Sequence, residues 1–314
     1  MTGATPMHRI TIIIVNWNTV YLLKQCLDSV VSCSDDSCRI MVVDNASDDA
    51  SVSVVTTFFP QVELITNSEN LGFAGGNNIA LGSTDTEYVV LLNSDTILSP
   101  DCVALMLEFM DTRPGVVACA PALRLPSGKL QTGGGGFELT LITAFNYFLC
   151  LSKLFPFLCK GFYIDQATYV KLRQPVKVGW LAGTCLMVRK SAIDDVGGLD
   201  DGYFMYAEDA EWCDRLRTRG DIYYLPGLEI VHYQGASSKS RGAVSTEWLE
   251  ATCNYFLAKH GVVKTSVFRV ILVAGFLLRF AAYFFMSFFD DGYRGNADAM
   301  RAFLVFSARW EMKS

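Results

Sequence analysis

The sequence predicts an α/β chain, a mostly parallel mixed sheet flanked by helices, and three observations carry that expectation. Short apolar runs recur at 10–15, 40–43 and 88–92, rich in Ile, Val and Leu without alternation, as strands buried on both faces are. Segments with apolar residues at helical spacing separate these runs, the order that builds parallel sheets. The runs also end in small polar residues: Asn16-Trp17-Asn18, Asp44-Asn45, and Asn93-Ser94-Asp95. Polar groups therefore collect along one edge of the sheet, where ligands of open α/β sheets bind.

Taken in order, the 10–15 run is a strand, and Leu22, Leu23, Cys26, Leu27, Val30 and Val31 mark a helix over about 20–31. A strand at 40–43, a helix near 50–58, a strand at 62–66 and a helix opening near Gly75 lead to the strand at 88–92. Ser99-Pro100-Asp101 predicts an N-cap with proline in the first turn, and Arg113-Pro114-Gly115 stops that helix. A strand at 116–120 follows, then a loop over 126–137, which holds six glycines or prolines. Residues 138–165 are dense in Leu, Phe and Cys without a period, and they fit either a cover over the site or contact with a bilayer. Strand character returns at 178–188, a short helix covers 190–196, and 197–200 is a turn. In the next helix Asp209, Trp212, Cys213 and Leu216 share one face, so Asp209 heads an apolar stripe and points inward, while Glu211, Asp214 and Arg215 face water. A carboxylate in a first helical turn can equally serve the helix dipole. Asp95 taken alone fits an Asx turn as well as a cation site. His232 ends the apolar run 228–231, a place where an imidazole more often satisfies backbone groups than binds a metal.

The net charge of −6 argues against nucleic acid as a partner, since phosphate binding needs a basic face. Ten scattered cysteines with no C-x-x-C pair fit a reducing compartment, and no apolar run precedes the first strand as a signal peptide would. After a helix at 248–260, residues 262–289 are strongly apolar but broken by Arg269 and Arg279. The longest uncharged spans, nine residues at 270–278 and ten at 280–289, are too short to cross a bilayer without burying an arginine. An interfacial segment fits, with Arg269, Arg279, Arg294 and Arg301 near anionic headgroups; the alternative is a contact within a homo-oligomer.

Seven motifs in this order resemble the inverting family-2 glycosyltransferases, with the A-type nucleotide-diphospho-sugar transferase (GT-A) fold, and within them the rhamnosyltransferase-like enzymes. They are Ile14-Val15-Asn16-Trp17-Asn18; Val43-Asp44-Asn45-Ala46-Ser47; the stretch from Glu69-Asn70-Leu71-Gly72 to Asn78; Leu92-Asn93-Ser94-Asp95; Gly183-Thr184 to Arg189; Phe204-Met205-Tyr206-Ala207-Glu208-Asp209; and His232-Tyr233-Gln234 to Ser238. The resemblance covers roughly 8–260. It implies a catalytic domain over 8–260, with a nucleotide-sugar half at 8–120 and an acceptor half at 121–260, followed by a membrane-associating helical segment at 261–314. It further implies that Asn16, Asp44, Asn70, Gly72, Gly75, Gly76, Asn77, Asn93, Ser94 and Trp180 bind a nucleotide-diphospho-sugar donor. Asp95 and His232 would hold Mg2+ or Mn2+ in a DxD-type motif whose first acid is Asn93. Asp209 would be the catalytic base with Glu208 in support. The activity implied is transfer of a sugar, rhamnose from dTDP-rhamnose, to a glycan or lipid-linked acceptor at the cytoplasmic face of the membrane. Two other classes compete. A nucleotide-binding oxidoreductase would place G-x-G-x-x-G after the first strand, where Asn16-Trp17-Asn18 stands. A catalytically inactive, membrane-bound sugar-binding or scaffold subunit would draw on Asn93 alone.

Overall fold

A computed structural model of the chain describes residues 8–34, 37–156, 158–234 and 245–312. These fall into two compact units, one from residues up to 135 and from 169 to 234, the other from 136–168 and from 245 onward. The insertion and residues 245–260 thus group with the tail.

In the first unit, β1 (Ile10–Asn16), α1 (Val20–Cys33), β2 (Cys38–Asp44), α2 (Ser51–Phe58), β3 (Glu63–Thr66), α3 (Gly72–Leu81) and β4 (Tyr88–Asn93) alternate as expected. β5 (Thr96–Ile97), α4 (Cys102–Asp111), β6 (Val116–Arg124) and the short β7 (Gly135–Gly136) follow. The chain then enters the second unit through α5 (Leu141–Phe148) and α6 (Leu151–Leu154) and leaves it at α7 (Gln166–Tyr169). It resumes with β8 (Val176–Lys177), β9 (Trp180–Leu181), β10 (Cys185–Arg189), α8 (Lys190–Val196), α9 (Glu208–Leu216) and β11 (Asp221–His232).

The sheet order is β3-β2-β1-β4-β10-β6-β11-β5, with β8 on β11. It is mixed, and most paired residues lie in the parallel ladders β3-β2-β1-β4 and β6-β11, with β10 antiparallel between them. β1 carries Ile or Val at five of its seven positions, side chains that fit a pleated surface covered on both sides, and Ile12, Ile13 and Ile14 are fully buried. The core packs Leu23, Cys26, Leu27 and Val30 of α1 against β1 and β4. Chain order runs outward from β1 in both directions, through β2 to β3 and across to β4, so the strand order reverses between β1 and β4. In an open α/β sheet that reversal opens a crevice at the carboxyl ends of the strands.

The strand expected over 178–188 divides into β9 and β10 around 182–184, and two helix starts also differ from the sequence expectation. α4 starts at Cys102 rather than at the Ser99-Pro100 cap, because Asp101 takes a left-handed conformation (φ 61°) immediately before it. α3 opens at Gly72 instead of Gly75, since glycine tolerates the φ of 72° that starts the turn. All ten cysteines are free.

The second unit explains why 138–165 shows no period. Helices α5, α6 and α7 are short, and Tyr147, Phe148, Phe162 and Tyr163 gather in one aromatic cluster while Ile142, Leu154, Phe155 and Leu158 stay exposed. Thr140 caps α5 through a capping box with Thr143, and Phe148 at the other end packs edge-on against Phe268 and Phe276 of α10 (Glu247–Met286). Gly275 permits this approach, since a Cβ there would lie 2.6 Å from that of Phe148. α10 bends at Gly261 (φ 76°) and is followed by a short 3-10 turn and α11 (Arg294–Arg309). Among the described residues α10 is the one helix long and apolar enough to cross a membrane, by length and composition. Arg269 and Arg279 have partners within the unit. Arg269 donates to the carbonyls of Ser307 and Ala308 at the end of α11, and Arg279 to Tyr147 O near the end of α5. Both neutralise helix C-termini, where unpaired carbonyls collect and cations are favoured. The residues left outward on α10 and just beyond it include Val263, Val270, Phe285, Phe288 and Phe289.

Candidate active site at the ends of the central strands

The ends of β1, β2 and β4 lie level with one another, Asn16 opposite Asp44 and Val15 opposite Asn93. A buried polar network joins them. Asn16 Nδ2 donates to Asp44 Oδ1 (2.9 Å) and to Ser47 Oγ (3.1 Å), and the backbone N–H of Ser47 donates to Asp44 Oδ2 (2.9 Å). Thr19 donates its hydroxyl to Asn16 Oδ1 (2.6 Å) and lies 2.9 Å from Ser94 Oγ, bridging the two strands across the crevice. Asp44, 2% exposed, keeps one lone pair free on each oxygen after these bonds. The chain therefore brings Asn16, Asp44 and Ser94 together and adds Thr19 and Ser47, which sequence reasoning did not single out.

Asp95 immediately precedes β5, and β5 pairs antiparallel with the end of β11 so that Thr96 faces His232. That pairing and the bond from Tyr233 N–H to Asp95 O bring the two side chains into contact, His232 Nε2 lying 3.0 Å from Asp95 Oδ1. Both are buried, at 5% and 4% exposed. His232 Nδ1 lies 2.7 Å from Oε1 of Gln131, a residue whose neighbours gave no signal beyond a glycine-rich loop. Asp95 and His232 offer an oxygen and a nitrogen donor of the kind that suits Mn2+ or Mg2+ when other oxygens complete the set. Among the described residues no three His, Cys, Asp or Glu side chains gather as a metal cluster, so the protein supplies two such donors here. The rest of that last motif, 235–238, lies outside the described residues.

The third group forms at the start of α9. Tyr206 (φ 70°) and Ala207 (φ 68°) are both left-handed, a costly conformation for residues with a Cβ, and they lead directly into Glu208 and Asp209. Asp209 Oδ2 accepts the N–H of Gly183 at 3.3 Å and Oδ1 that of Ala210 at 2.8 Å. Glu208 is buried, and its Oε2 has no hydrogen-bond partner. Burial pushes both carboxyls up, and the charge on Asp209 pushes Glu208 further. The expected inward stripe is present in Trp212, Cys213 and Leu216. Arg215, expected to face water, instead pairs with Glu211 and donates to the carbonyls of Val196 and Gly198.

The stretch 70–77 is tied to its neighbours. Asn70 Oδ1 accepts the N–H of Gly72, and Asn45 Nδ2 donates to Gly72 O. A Cβ on Gly72 would lie 2.4 Å from Phe204 O, and one on Gly76 2.8 Å from Val15, so these glycines allow close approach to the protein's own elements. Gly75 closes on Leu71 of the same turn, and Asn77 donates to Phe73 O while its buried Oδ1 has no partner. Trp180, half-buried in β9, precedes Leu181, whose N–H meets Cys213 Sγ on α9.

One backbone link connects the groups. Asn93 N–H donates to Thr184 O (2.9 Å), and Thr184 follows Gly183, the residue that Asp209 holds. Gly183 also abuts the Phe73 ring, where a Cβ would come within 2.6 Å. The strand that carries Asn93-Ser94-Asp95 and the helix that carries Glu208 and Asp209 thus meet at one turn.

The description "Glycosyl transferase family 2" matches residues 11–197, more than half of the chain. The chain is 26% identical over 229 residues to N-acetylglucosaminyl-diphospho-decaprenol L-rhamnosyltransferase of Mycobacterium tuberculosis, covering 69% of this chain and 73% of that one. It is 24% identical over 257 residues to rhamnosyltransferase WbbL of Escherichia coli, covering 79% and 92%. Among solved structures, the mannosyltransferase PcManGT from Pyrobaculum calidifontis, in complex with GDP-Man and Mn2+, superposes with a TM-score of 0.58 at 16% identity, covering 97% of this chain and 87% of that one. That likeness establishes the GT-A-type fold.

Proposed function

The chain belongs to glycosyl transferase family 2 and is a glycosyltransferase, and on that premise we propose that it is an inverting, metal-dependent enzyme that moves a sugar to a hydroxyl of a glycan or lipid-linked acceptor. The observation that carries this reading is Asp209, a carboxyl whose proton affinity burial raises, held by Gly183 beside the backbone link to Asn93.

In an inverting transfer the acceptor hydroxyl attacks the anomeric carbon from the face opposite the departing nucleotide diphosphate. Asp209 takes the hydroxyl proton as that bond forms, a contribution of about 10²–10⁴ in rate for a well-placed base. Its raised affinity for a proton makes it a better acceptor than an exposed aspartate would be. Glu208 supports Asp209 from within the fold. Asn16, Asp44 and Ser94, with Thr19 and Ser47, form the nucleotide side of the crevice. The free lone pairs of Asp44 accept from the base edge, and Asn70, Gly72, Gly75, Gly76, Asn77, Asn93 and Trp180 complete the donor surface. Asp95 and His232 would hold Mn2+ or Mg2+, which would supply positive charge against the leaving diphosphate. No covalent sugar intermediate is needed, so no second nucleophilic carboxylate is required.

Two relatives named as rhamnosyltransferases support rhamnose, from dTDP-rhamnose, as the sugar moved, and cell-wall or polysaccharide synthesis as the setting. One of them is named for a decaprenol-linked substrate, which supports a lipid-linked acceptor and a site of action at the cytoplasmic face of the membrane, reached through 262–289. Metal-dependent release of nucleotide from a panel of nucleotide sugars, with acceptor present, tests the reading. Release from dTDP-rhamnose that chelation abolishes is the expected result. A panel that yields no nucleotide from any donor overturns it.

A further inference from the structure

His232 has a neighbour on each ring nitrogen, and the two neighbours differ in chemistry. Nε2 faces the carboxylate of Asp95 at 3.0 Å, and Nδ1 faces the amide oxygen of Gln131 at 2.7 Å. An amide oxygen only accepts, so the bond to Gln131 keeps a proton on Nδ1 and leaves Nε2 as the nitrogen a cation would take, displacing any proton that Nε2 shares with the Asp95 carboxylate. Nε2 is also the nitrogen that Asp95 faces. Gln131 is well fixed for this task. It is 8% exposed, its N–H donates to Leu123 O at 2.9 Å, and the adjacent Leu130 forms an antiparallel bridge with Arg124 at the end of β6. β6 in turn pairs in parallel with β11, which ends at His232. Gln131 and His232 are therefore set against each other by neighbouring strands of one sheet.

We infer that Gln131 is a positioning residue for a divalent cation: by accepting a hydrogen bond from Nδ1–H it fixes the tautomer and ring orientation of His232, so that Nε2 and Asp95 converge on one point. The inference rests on the reading of Asp95 and His232 as cation ligands. It assigns work to a loop residue that no motif includes. Partners of this outer kind commonly change metal affinity by about 10–100-fold when removed.

The test is Mn2+ binding to the full-length protein, followed by the electron paramagnetic resonance signal of free Mn2+ and by the rise in melting temperature on adding the metal. Gln131→Met keeps the volume and removes the acceptor; Gln131→Glu keeps an acceptor at the same reach. The expected result is a loss of about 10–100-fold in Mn2+ affinity for Gln131→Met, with Gln131→Glu close to wild type and all three melting alike without metal. His232→Ala and Asp95→Asn mark the site by abolishing the binding. If Gln131→Met binds Mn2+ as wild type does while His232→Ala does not, the role of Gln131 is refuted and the cation site stands. If both Gln131 variants lose affinity alike and melt lower without metal, the side chain only fills space and the inference falls. If wild type binds no Mn2+, the cation site and this inference fail together.

Discussion

Asp209→Asn is the substitution that most directly separates chemistry from architecture. Asp209 spends one oxygen on the N–H of Gly183 (3.3 Å) and the other on that of Ala210 (2.8 Å). Asparagine has a single acceptor oxygen, so it keeps one of these bonds and turns an amide N–H₂ toward the other donor, a local cost of about 1–3 kcal/mol. Against that cost stands a gain. Burial raises the carboxyl's proton affinity, so ionising it in the fold is unfavourable, and the neutral amide removes that penalty. The two effects oppose each other, and the melting temperature should stay near that of wild type. Catalysis has no such compensation. Loss of the base should lower kcat by about 10²–10⁴, equivalent to about 3–5 kcal/mol of activation free energy at 1.36 kcal/mol per decade. The pH profile supplies an independent check. A base must be unprotonated to act, and a raised affinity means that it protonates at a higher pH on acidification. Wild-type kcat should therefore fall on the acid side well above the ordinary aspartate range, and the variant's residual rate should lack that limb. The assay is nucleotide release with the donor and acceptor that wild type uses, with donor binding by calorimetry expected to be near normal. Turnover by Asp209→Asn within a few-fold of wild type would refute the assignment.

Four further outcomes follow from the geometry. Burial, and then the charge on Asp209, push the Glu208 carboxyl up, so the folded protein holds a proton that the unfolded chain releases at lower pH. Stability is then lost as pH rises from the ordinary glutamate range through the raised native value. Glu208→Gln removes that loss, and its melting temperature should exceed that of wild type by an amount that grows with pH over this window; a difference that shrinks with pH counts against the argument. Gly72→Ala must place a Cβ at φ 72° and 2.4 Å from Phe204 O. It should destabilise by about 2–4 kcal/mol and weaken donor binding, and a variant as stable as wild type would contradict the packing described here. In the second unit, Arg279→Ala should destabilise by about 1–3 kcal/mol through loss of the charged bond to the Tyr147 carbonyl, which keeps the N–H of Cys150, while leaving flotation with anionic liposomes intact. Replacing Phe285, Phe288 and Phe289 together with serine should abolish flotation, and a wild-type protein that ignores liposomes would remove the basis for both expectations.

Much of the first unit is legible in the sequence because its signals are local. The β-branched run of β1 and the polar residues that end β1, β2 and β4 need only the chain itself to be read. The spacing that sends Trp212, Cys213 and Leu216 inward is equally a property of one helix. Errors of boundary came where one backbone conformation overrode composition. Asp101 in a left-handed turn moves the start of α4 past Ser99 and Pro100, and Gly72 starts α3 early. The region 138–165 stayed opaque for a different reason. Phe148 is placed by Gly275, more than a hundred residues away, and no window along the chain can register such a pairing. The carbonyls of α11 and α5 that meet Arg269 and Arg279 are equally out of reach of any window along the chain.

The sequence alone determines the alternation of strand and helix, the polar ends of the central strands, and the ordered motifs of a family-2 glycosyltransferase. Each of these depends on hydrophobic period or residue type within a short span. Tertiary structure decided the rest. It paired Asp95 with His232 by laying β5 along β11, and it gave His232 a second partner in Gln131 through the neighbouring ladder of β6. It also brought Asp209 to Gly183 and, through Thr184, to Asn93. A carboxylate or an imidazole has no fixed chemistry of its own; its partners and its burial set that chemistry, and both come from residues far away along the chain.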